Sequence, residues 1–284
     1  MASFDYLKPK DLDEALETLP AERIHPIAGG TNLLVDIRAG RVNPRALLDL
    51  GAIDELKTLR HHYHVTELGP LLTMAEVIGS PLLNSQVPIL TQAALSIGGP
   101  QIRNRATLGG NTVSASPAGD IITALVALDA KITLRNKSGV RTMVVEDFIK
   151  GPGQTDLHRD ELLTQISFKN PGPNSRSAFF KLGRRNALAI SIVNLGIVAM
   201  GDQDSDRRTV RIALGSVGPK VFRPRQAEKL LSQWPLNEEK VRRAARVAAS
   251  ECSPISDIRA SAEYRRAMVE MAVEKTVVEL LGNG

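Results

Sequence analysis

The feature that most constrains the fold of this chain is a stretch of small and polar residues between positions 98 and 120. Its sequence is Gly-Gly-Pro-Gln-Ile-Arg-Asn-Arg-Ala-Thr-Leu-Gly-Gly-Asn-Thr-Val-Ser-Ala-Ser-Pro-Ala-Gly-Asp, which offers few side chains large enough to pack a core. Loops of this length in compact domains are usually functional or disordered. Because the apolar segment Ile121 to Leu128 follows at once, we predict an ordered loop with a binding role.

The linker Asn170 to Asn174, with the sequence Asn-Pro-Gly-Pro-Asn, separates two parts that differ in predicted secondary structure. The first part mixes short strands and helices, whereas the second has strands followed by three helices with apolar residues at helical spacing. A chain of 284 residues exceeds one hydrophobic core. We therefore predict three domains, which comprise residues 1–52, 53–170 and 175–284.

The first domain is predicted to be a βαβ unit with a glycine-rich loop. Strand residues His25 to Ala28 lead into Gly29 and Gly30, and a helix from about Asn32 to Arg38 follows. Glycine permits positive φ and close approach of a ligand. Successive N–H groups beside a helix N-terminus can bind a diphosphate. Taken alone, a Gly-Gly turn between a strand and a helix is more often a simple structural turn.

Neither glycine-rich segment is a standard nucleotide motif. The chain has no G-x-G-x-x-G that opens a helix and no G-x-x-x-x-G-K-[ST]. The second loop, Thr107 to Asn111, follows a segment predicted to be irregular. Earlier in the chain, Ile53 to Leu59 is predicted to be a strand. The residues alone therefore predict two anion-binding loops and no particular ligand.

Several functions are disfavoured by composition. Cys252 is the only cysteine, so an iron–sulfur cluster with four thiolate ligands would have to lie on another chain. No apolar run approaches the roughly 20 residues of a membrane span. The N-terminus lacks the apolar region of a secretory signal, so a cytoplasmic location is expected. The formal charge of +5 is spread along the chain, and nucleic-acid binding is not expected.

Metal binding and covalent catalysis are also not predicted. His61, His62 and His64 are interpreted as a polar strand end, because a metal site needs further convergent ligands. Ser114 and Ser116 lack a histidine base in a nucleophile pattern. We see no histidine close to either glycine loop.

Five segments in order along the chain resemble one family. They are Ala28 to Leu33, Gln101 to Asp120, Phe180 to Arg185, Leu214 to Lys220, and Ser261 to Arg266. Together they resemble the FAD-binding medium subunit of the molybdenum hydroxylase family, which includes the xanthine dehydrogenase and carbon monoxide dehydrogenase flavoproteins. The Thr-Leu-Gly-Gly-Asn segment with its flanks is the most specific match.

The resemblance implies an α+β fold. Two subdomains of the PCMH/vanillyl-alcohol-oxidase type would bind FAD, and an α+β C-terminal domain of antiparallel sheet plus helical bundle would follow. It also implies two partners, a large molybdopterin subunit and a small subunit with two [2Fe-2S] clusters, in a dimer of heterotrimers. Electrons would pass between these clusters and an external acceptor through the flavin of this chain.

Individual roles are also implied by the resemblance. The two loops would bind the pyrophosphate and ribityl region, Asp120 would accept hydrogen bonds from FAD hydroxyls, and Leu163 and Lys181 would lie near the flavin. The implied cofactor-binding residues are Ala28, Gly29, Gly30, Thr31, Asn32, Leu33, Thr107, Gly109, Gly110, Asn111, Asp120, Leu163 and Lys181. Asp120 could instead cap the helix that begins at Ile121, and Lys181 and Leu163 could be ordinary strand residues.

One position departs from the xanthine dehydrogenase pattern. Ile97 stands where those enzymes place a phenylalanine against the flavin, and Ile cannot stack. The hydroxylases with separate subunits are therefore the closer comparison. Two other interpretations stay open, a stand-alone flavin oxidoreductase of the related oxidase superfold and a non-catalytic nucleotide-binding module.

Overall fold

The computed structural model describes residues 4–185, 188–201 and 208–281. The N-terminal part is a three-stranded parallel sheet in the order β1-β3-β2, flanked by two helices. Its elements are β1 (Asp5–Leu7), α1 (Leu12–Thr18), β2 (Ile24–Ile27), α2 (Leu33–Arg38) and β3 (Ala46–Asp49). The carboxylate of Asp11 caps α1 by accepting a hydrogen bond from the Glu14 N–H at 2.8 Å. The predicted βαβ unit is thus confirmed.

The second part has a five-stranded antiparallel sheet, in the order β4-β5-β10-β6-β7, and a cluster of short helices. Its elements are β4 (Leu59–His61), β5 (Val65–Leu68), α3 (Met74–Gly79), α4 (Pro81–Gln86), α5 (Pro88–Leu95), α6 (Pro100–Arg103), α7 (Leu108–Val113), α8 (Asp120–Ala127), β6 (Lys131–Asn136), β7 (Gly139–Val144), α9 (Val145–Phe148), β8 (Ile149–Gly151), β9 (Gln154–Thr155) and β10 (Leu162–Lys169). The strand predicted over Ile53 to Leu59 is wrong. Residues Asp54–Lys57 form a 3-10 helix instead, because Leu56 turns inward to the core.

The stretch between positions 98 and 120 has more regular secondary structure than predicted. It contains the two short helices α6 and α7 rather than continuous loop. Pro100 stands in the first turn of α6, and the Thr107 hydroxyl caps α7 by accepting a hydrogen bond from the Gly110 N–H at 3.1 Å. Local capping therefore organises a segment whose composition suggested loop.

The C-terminal part is a three-stranded antiparallel sheet covered by helices, in agreement with the expected fold. Its elements are β11 (Arg176–Gly183), β12 (Ser191–Met200), β13 (Thr209–Gly215), α10 (Arg225–Leu231), α11 (Glu238–Ser250) and α12 (Ala262–Leu281). Helix α12 packs against β11 and β12, and the alanines of α11 belong to the same hydrophobic core. In the part of the chain that is described, no helix is both long and apolar enough to cross a membrane.

The C-terminal sheet packs directly on α8 of the preceding part. Val198 and Ala213 belong to the same hydrophobic core as α8. A side chain at Gly196 would come within 3.1 Å of the Thr123 carbonyl oxygen, so β12 and α8 are in close contact. This packing fixes the C-terminal sheet relative to α7 and the loops before it. The domain limits themselves stay a prediction.

Candidate functional site

A cleft of about 900 Å³ lies between the N-terminal unit and the second part. Its volume is within the upper range for small-molecule sites. One wall is β2 with the loop that follows it, and another is the start of α7 with the residues before it. The third wall is the segment from Thr155 to Leu163, which joins β9 to β10.

The first glycine loop touches the backbone of the residues just before the second loop. A Cβ atom added to Gly29 would lie 1.8 Å from the Arg105 carbonyl oxygen, so no other residue fits without moving the loop. Gly30 has φ +73°, the left-handed region that favours glycine. The Asn32 amide donates a hydrogen bond to the Ser114 hydroxyl at 3.0 Å, which links the first loop to α7.

The first loop presents free backbone donors to the cleft. The N–H groups of Gly30, Thr31 and Asn32 form no hydrogen bond with the described part of the chain, although all three residues line the cleft. Unpaired N–H groups are costly when they are shielded from water. Three consecutive donors therefore suit an anionic oxygen cluster such as a diphosphate.

The second loop does not offer the same donors. Its N–H groups at Gly109 and Gly110 already donate to the Pro70 carbonyl and the Thr107 hydroxyl, at 2.7 and 3.1 Å. The Asn111 N–H donates to the Thr107 carbonyl at 3.0 Å. The expectation that both loops bind an anion stays a prediction, and in this structure Gly109, Gly110 and Asn111 form part of the wall of the cleft. The free polar atom of the second loop is the buried side-chain oxygen of Asn111, which has no hydrogen-bond partner.

All the expected cofactor-binding residues line this cleft except Asp120 and Lys181. Asp120 is 5% exposed and begins α8, whereas Gly119 is the N-cap residue, so the alternative capping role is not observed. Lys181 lies on β11 and donates to the Asp120 carboxylate at 2.6 Å. The two side chains form an ion pair behind the wall of the cleft, where the C-terminal sheet meets α8.

Neutral donors complete the surroundings of Asp120. Its other carboxylate oxygen accepts hydrogen bonds from the Ser191 hydroxyl at 2.9 Å and the Asn194 amide at 2.8 Å. Lys181 also donates to the carbonyl oxygen of Ser96, the residue before Ile97, at 3.0 Å. Ile97 lines the cleft. This buried network thus connects the C-terminal sheet to the wall of the cleft.

Apart from Leu163, the sequence did not reveal the wall formed by residues 155–163. Glu161 is 4% exposed and accepts two hydrogen bonds from Arg141, at 2.6 and 2.7 Å. These bonds hold the pKa of Glu161 below its usual value. Arg141 also donates to Asp156 at 2.7 Å, so one guanidinium holds both ends of the segment. An arginine and two acids spaced 15 and 20 residues away form no recognisable local motif.

Two histidines line the cleft, and the expectation that none lies near the glycine loops is wrong. His25 is on β2, three residues before Ala28, and His158 faces it from the third wall. Burial, followed by the nearby Arg159 and Arg23, lowers the pKa of His25. A neutral imidazole is thus favoured at this position. The nearness of His25 to the first loop was visible in the sequence.

The other titratable candidates lie elsewhere. His61 contacts the Thr66 hydroxyl at 2.8 Å on β4 and β5. No group of three His, Cys, Asp or Glu side chains could hold a metal among the residues the structure describes. Cys252 is buried after α11, and burial raises its pKa to about 12. A thiol with this pKa is unreactive near neutral pH.

Comparison with known proteins gives this geometry a family. Residues 2–170 match the family model described as the FAD binding domain in molybdopterin dehydrogenase. This chain is a member of that family. Residues 178–280 match a second model, the CO dehydrogenase flavoprotein C-terminal domain. The resemblance noted from five short segments is thereby confirmed over most of the chain.

Related dehydrogenase subunits match over nearly their whole length. The glyceraldehyde dehydrogenase medium chain of Sulfolobus acidocaldarius is 32% identical, with 98% of each chain covered. The nicotinate dehydrogenase FAD-subunit of Eubacterium barkeri is 31% identical, with 99% of this chain and 97% of the relative covered. Both are subunits of dehydrogenases, as expected for an oxidoreductase.

Solved structures of the family have the same fold. A chain of the reconstituted CO dehydrogenase from Oligotropha carboxidovorans superposes with a TM-score of 0.93 at 28% identity, covering 99% of both chains. A chain of quinoline 2-oxidoreductase from Pseudomonas putida superposes with a TM-score of 0.91 at 26% identity, covering 99% of this chain and 97% of the other. The α+β architecture of this family member is therefore shown.

Proposed function

We propose that this chain binds FAD in the cleft and is the electron-transfer subunit of a multi-subunit molybdenum hydroxylase. The observation on which this rests is the row of three unpaired N–H groups in the first loop, at the edge of a cleft of about 900 Å³. FAD supplies one- and two-electron redox chemistry when bound. Its diphosphate requires backbone donors, and its ring system requires an apolar slot.

The walls fit these two requirements separately. The donors of Gly30, Thr31 and Asn32 would hold the diphosphate, and the contact of Gly29 with the Arg105 carbonyl keeps this loop in place. Ile97 and Leu163 provide aliphatic surface in the same cleft. In this proposal, Thr107, Gly109, Gly110 and Asn111 shape the wall, and the Thr107 hydroxyl caps α7.

Asp120 and Lys181 are proposed to act without touching the cofactor. Their ion pair, together with Ser191 and Asn194, holds the C-terminal sheet against α8. Through its bond to the Ser96 carbonyl, Lys181 fixes the backbone beside Ile97. They are positioning residues for the cleft wall rather than ligands in this arrangement.

The partners are proposed by analogy with the family. A large molybdopterin subunit and a small subunit with two [2Fe-2S] clusters would complete a dimer of heterotrimers in the cytoplasm. The single cysteine of this chain agrees with clusters that lie elsewhere. Electrons would move between those clusters and an external acceptor by way of the flavin site.

Reconstitution with FAD tests the binding step. The purified chain should be yellow, or become yellow with added FAD, at one FAD per chain. Gly110→Val should lose FAD, because its side chain would crowd the start of α7. The fluorescence of Trp234, the only tryptophan, should stay native and report a folded C-terminal part. A wild-type chain that is colourless when purified and binds no added FAD would overturn the proposal.

A stand-alone flavin oxidoreductase is the second candidate, and His25 and His158 in the cleft favour it because histidine can attach flavin covalently. Acid precipitation separates the two functions. Covalent flavin stays with the precipitate, whereas FAD held by hydrogen bonds is released. The isolated chain should oxidise no organic substrate if it is an electron-transfer subunit, and turnover without partner subunits would favour the second candidate.

A further inference from the structure

Three segments expose large apolar side chains: α5 with α6, the connection between β11 and β12, and residues 253–260. The first of them lines the cleft. The five most relevant side chains, together called the apolar surface, are Leu95, Ile102, Leu188, Ile190 and Ile258, which are 58, 41, 56, 56 and 87% exposed. Exposed apolar side chains are common one at a time, but a group of them usually marks an interaction site. What joins these five is the contact between the segments that bear them.

The first segment, α5 with α6, contacts the second, the connection between β11 and β12, at Gly99. A Cβ atom at Gly99 would lie 3.3 Å from the Leu188 side chain, so the β11–β12 connection contacts the start of α6. Arg103 fastens α6 to the end of α5 by donating to the carbonyl oxygens of Leu95 and Gly98, at 3.3 and 2.9 Å. Leu95, Ile102 and Leu188 therefore belong to one region.

The third segment, residues 253–260, is joined to the second by Arg184. Its guanidinium donates to the Ile258 carbonyl oxygen at 3.2 Å. The segment is rigid, because Asp257 accepts hydrogen bonds from the Arg259 N–H at 2.8 Å and from the buried Arg265 at 2.8 Å. A tightly held segment that leaves Ile258 almost wholly in water suits preformed contact with another protein.

The charge around the apolar surface is positive. Arg184 and Arg185 are exposed, and their guanidinium groups donate to carbonyl oxygens. Neither forms an ion pair with a carboxylate of the described residues. An apolar centre with arginines at its edge is typical of protein interfaces. An acidic partner surface would complement it.

The position of this surface indicates which partner fits. Ile102 belongs both to the apolar surface and to the cleft wall, next to Ile97. Electron transfer slows steeply with distance, so a protein that exchanges electrons with a cofactor in the cleft must bind beside it. We propose that the apolar surface binds an acidic face of the iron–sulfur subunit. This inference rests on the proposed function.

The test uses the assembled complex, isolated through a tag on this chain from cells that express all subunits. Ile258→Glu places a negative charge at the most exposed side chain of the surface, facing an acidic partner. Val140→Glu is the matched control, since Val140 is 63% exposed on β7 in a different part of the molecule. The quantities measured are iron, molybdenum and FAD per chain, with salt varied.

Ile258→Glu should lower iron per FAD by at least about tenfold at dilute protein, as for an interface hot spot. Val140→Glu should match the wild type, and FAD should stay bound in both. Arg184→Glu should give a smaller loss of iron that grows as salt is lowered, because like charges then repel most.

The contrary outcomes are distinct. A wild-type complex without iron or molybdenum would overturn the proposed function. A wild-type complex with iron, and an Ile258→Glu complex with the same iron, would overturn only the docking surface. Loss of molybdenum with iron retained would assign the surface to the large subunit. A change confined to self-association of this chain would assign it to a second copy, and both results would contradict the proposal.

Discussion

Gly29 shows how one residue controls the cleft. The Arg105 carbonyl oxygen occupies the space of a Cβ atom at 1.8 Å, and backbone cannot yield as a flexible side chain can. The cost of overpacking is typically about 1–3 kcal/mol. Here the strain would fall on the loop with the free N–H donors, so ligand binding should suffer more than global stability.

Gly29→Ala should therefore weaken FAD binding by more than about tenfold, with a loss of about 1–3 kcal/mol in the free energy of unfolding. Gly79→Ala is the control, because a Cβ atom at Gly79 would meet no atom within 4 Å. Isothermal titration calorimetry measures the affinity for FAD, and urea unfolding measures the free energy of unfolding. Equal FAD affinity in both variants would show that the contact with Arg105 is not needed.

The pair of Asp120 and Lys181 is another single-residue determinant. Their side chains are 6 and 16% exposed, and removal of one charge would leave the other buried without its partner. Breaking such a pair commonly costs about 3–5 kcal/mol. Ser191 and Asn194 would continue to stabilise an unpaired Asp120, so the lower value is expected.

Lys181→Met should lower the free energy of unfolding by about 3 kcal/mol. The double variant with Asp120→Asn should lose less than the sum of the single variants, because the charges are then removed together. Lys57→Met, in an exposed pair with Asp54, should change stability by less than about 0.5 kcal/mol. Additive losses in urea unfolding would contradict coupling between Asp120 and Lys181.

At the scale of elements, the segment of residues 253–260 depends on one carboxylate. Burial opposes ionisation of Asp257, but hydrogen bonds from Arg259 and Arg265 lower its pKa to about 2. A carboxylate with a lowered pKa in the folded state stabilises the protein above its ordinary pKa of 3.8. This contribution disappears as the pH falls through the folded pKa.

The stability of the wild type should therefore exceed that of Asp257→Asn at pH 6, and the difference should vanish between about pH 4 and pH 2. We expect a difference of about 1 kcal/mol, since solvent reaches part of this carboxylate. Urea unfolding at a series of pH values measures it, and other carboxyl groups cancel in the comparison. A stability difference that does not change with pH would mean that Asp257→Asn acts through altered side-chain geometry rather than through the lost charge.

Across the whole molecule, the parts before and after the linker form a continuous structure. Asn170 is anchored, because its side chain accepts from the Thr66 hydroxyl at 2.7 Å and donates to the His62 carbonyl at 2.7 Å. Across the contact between the parts, Arg223 pairs with Asp129 at 2.9 Å. The buried Asp120 network and a shared core add to this contact.

Cleavage of the linker should therefore not separate the two parts. A protease recognition sequence inserted after Gly172 has room, since no atom lies within 4 Å of a Cβ atom there. The two fragments should elute together in gel filtration, retain FAD and unfold in one transition. An uncut sample of the same variant is the control. Separate elution of the fragments would mean that the linker itself maintains the contact.

The sequence by itself determined much of the local structure. Apolar residues at helical spacing predicted α11 and α12, and the βαβ pattern predicted β2 and α2, because these patterns depend on neighbours within one element. The glycines of the first loop and the side chain of Thr107 likewise define their turn and helix cap locally. Ordered similarity along the chain then indicated the family.

Only the tertiary structure decided which role each of these segments has in the site. Thr107 and Pro70 accept hydrogen bonds from the N–H groups of Gly109, Gly110 and Asn111, so of the two loops the first presents the run of three free donors. Lys181 reaches Asp120 across 61 positions, and Arg141 fixes Glu161 across 20. Hydrogen-bond partners are chosen by proximity after folding, and a linear sequence specifies no proximity between distant positions. The cleft wall and the buried ion pair were therefore beyond local patterns.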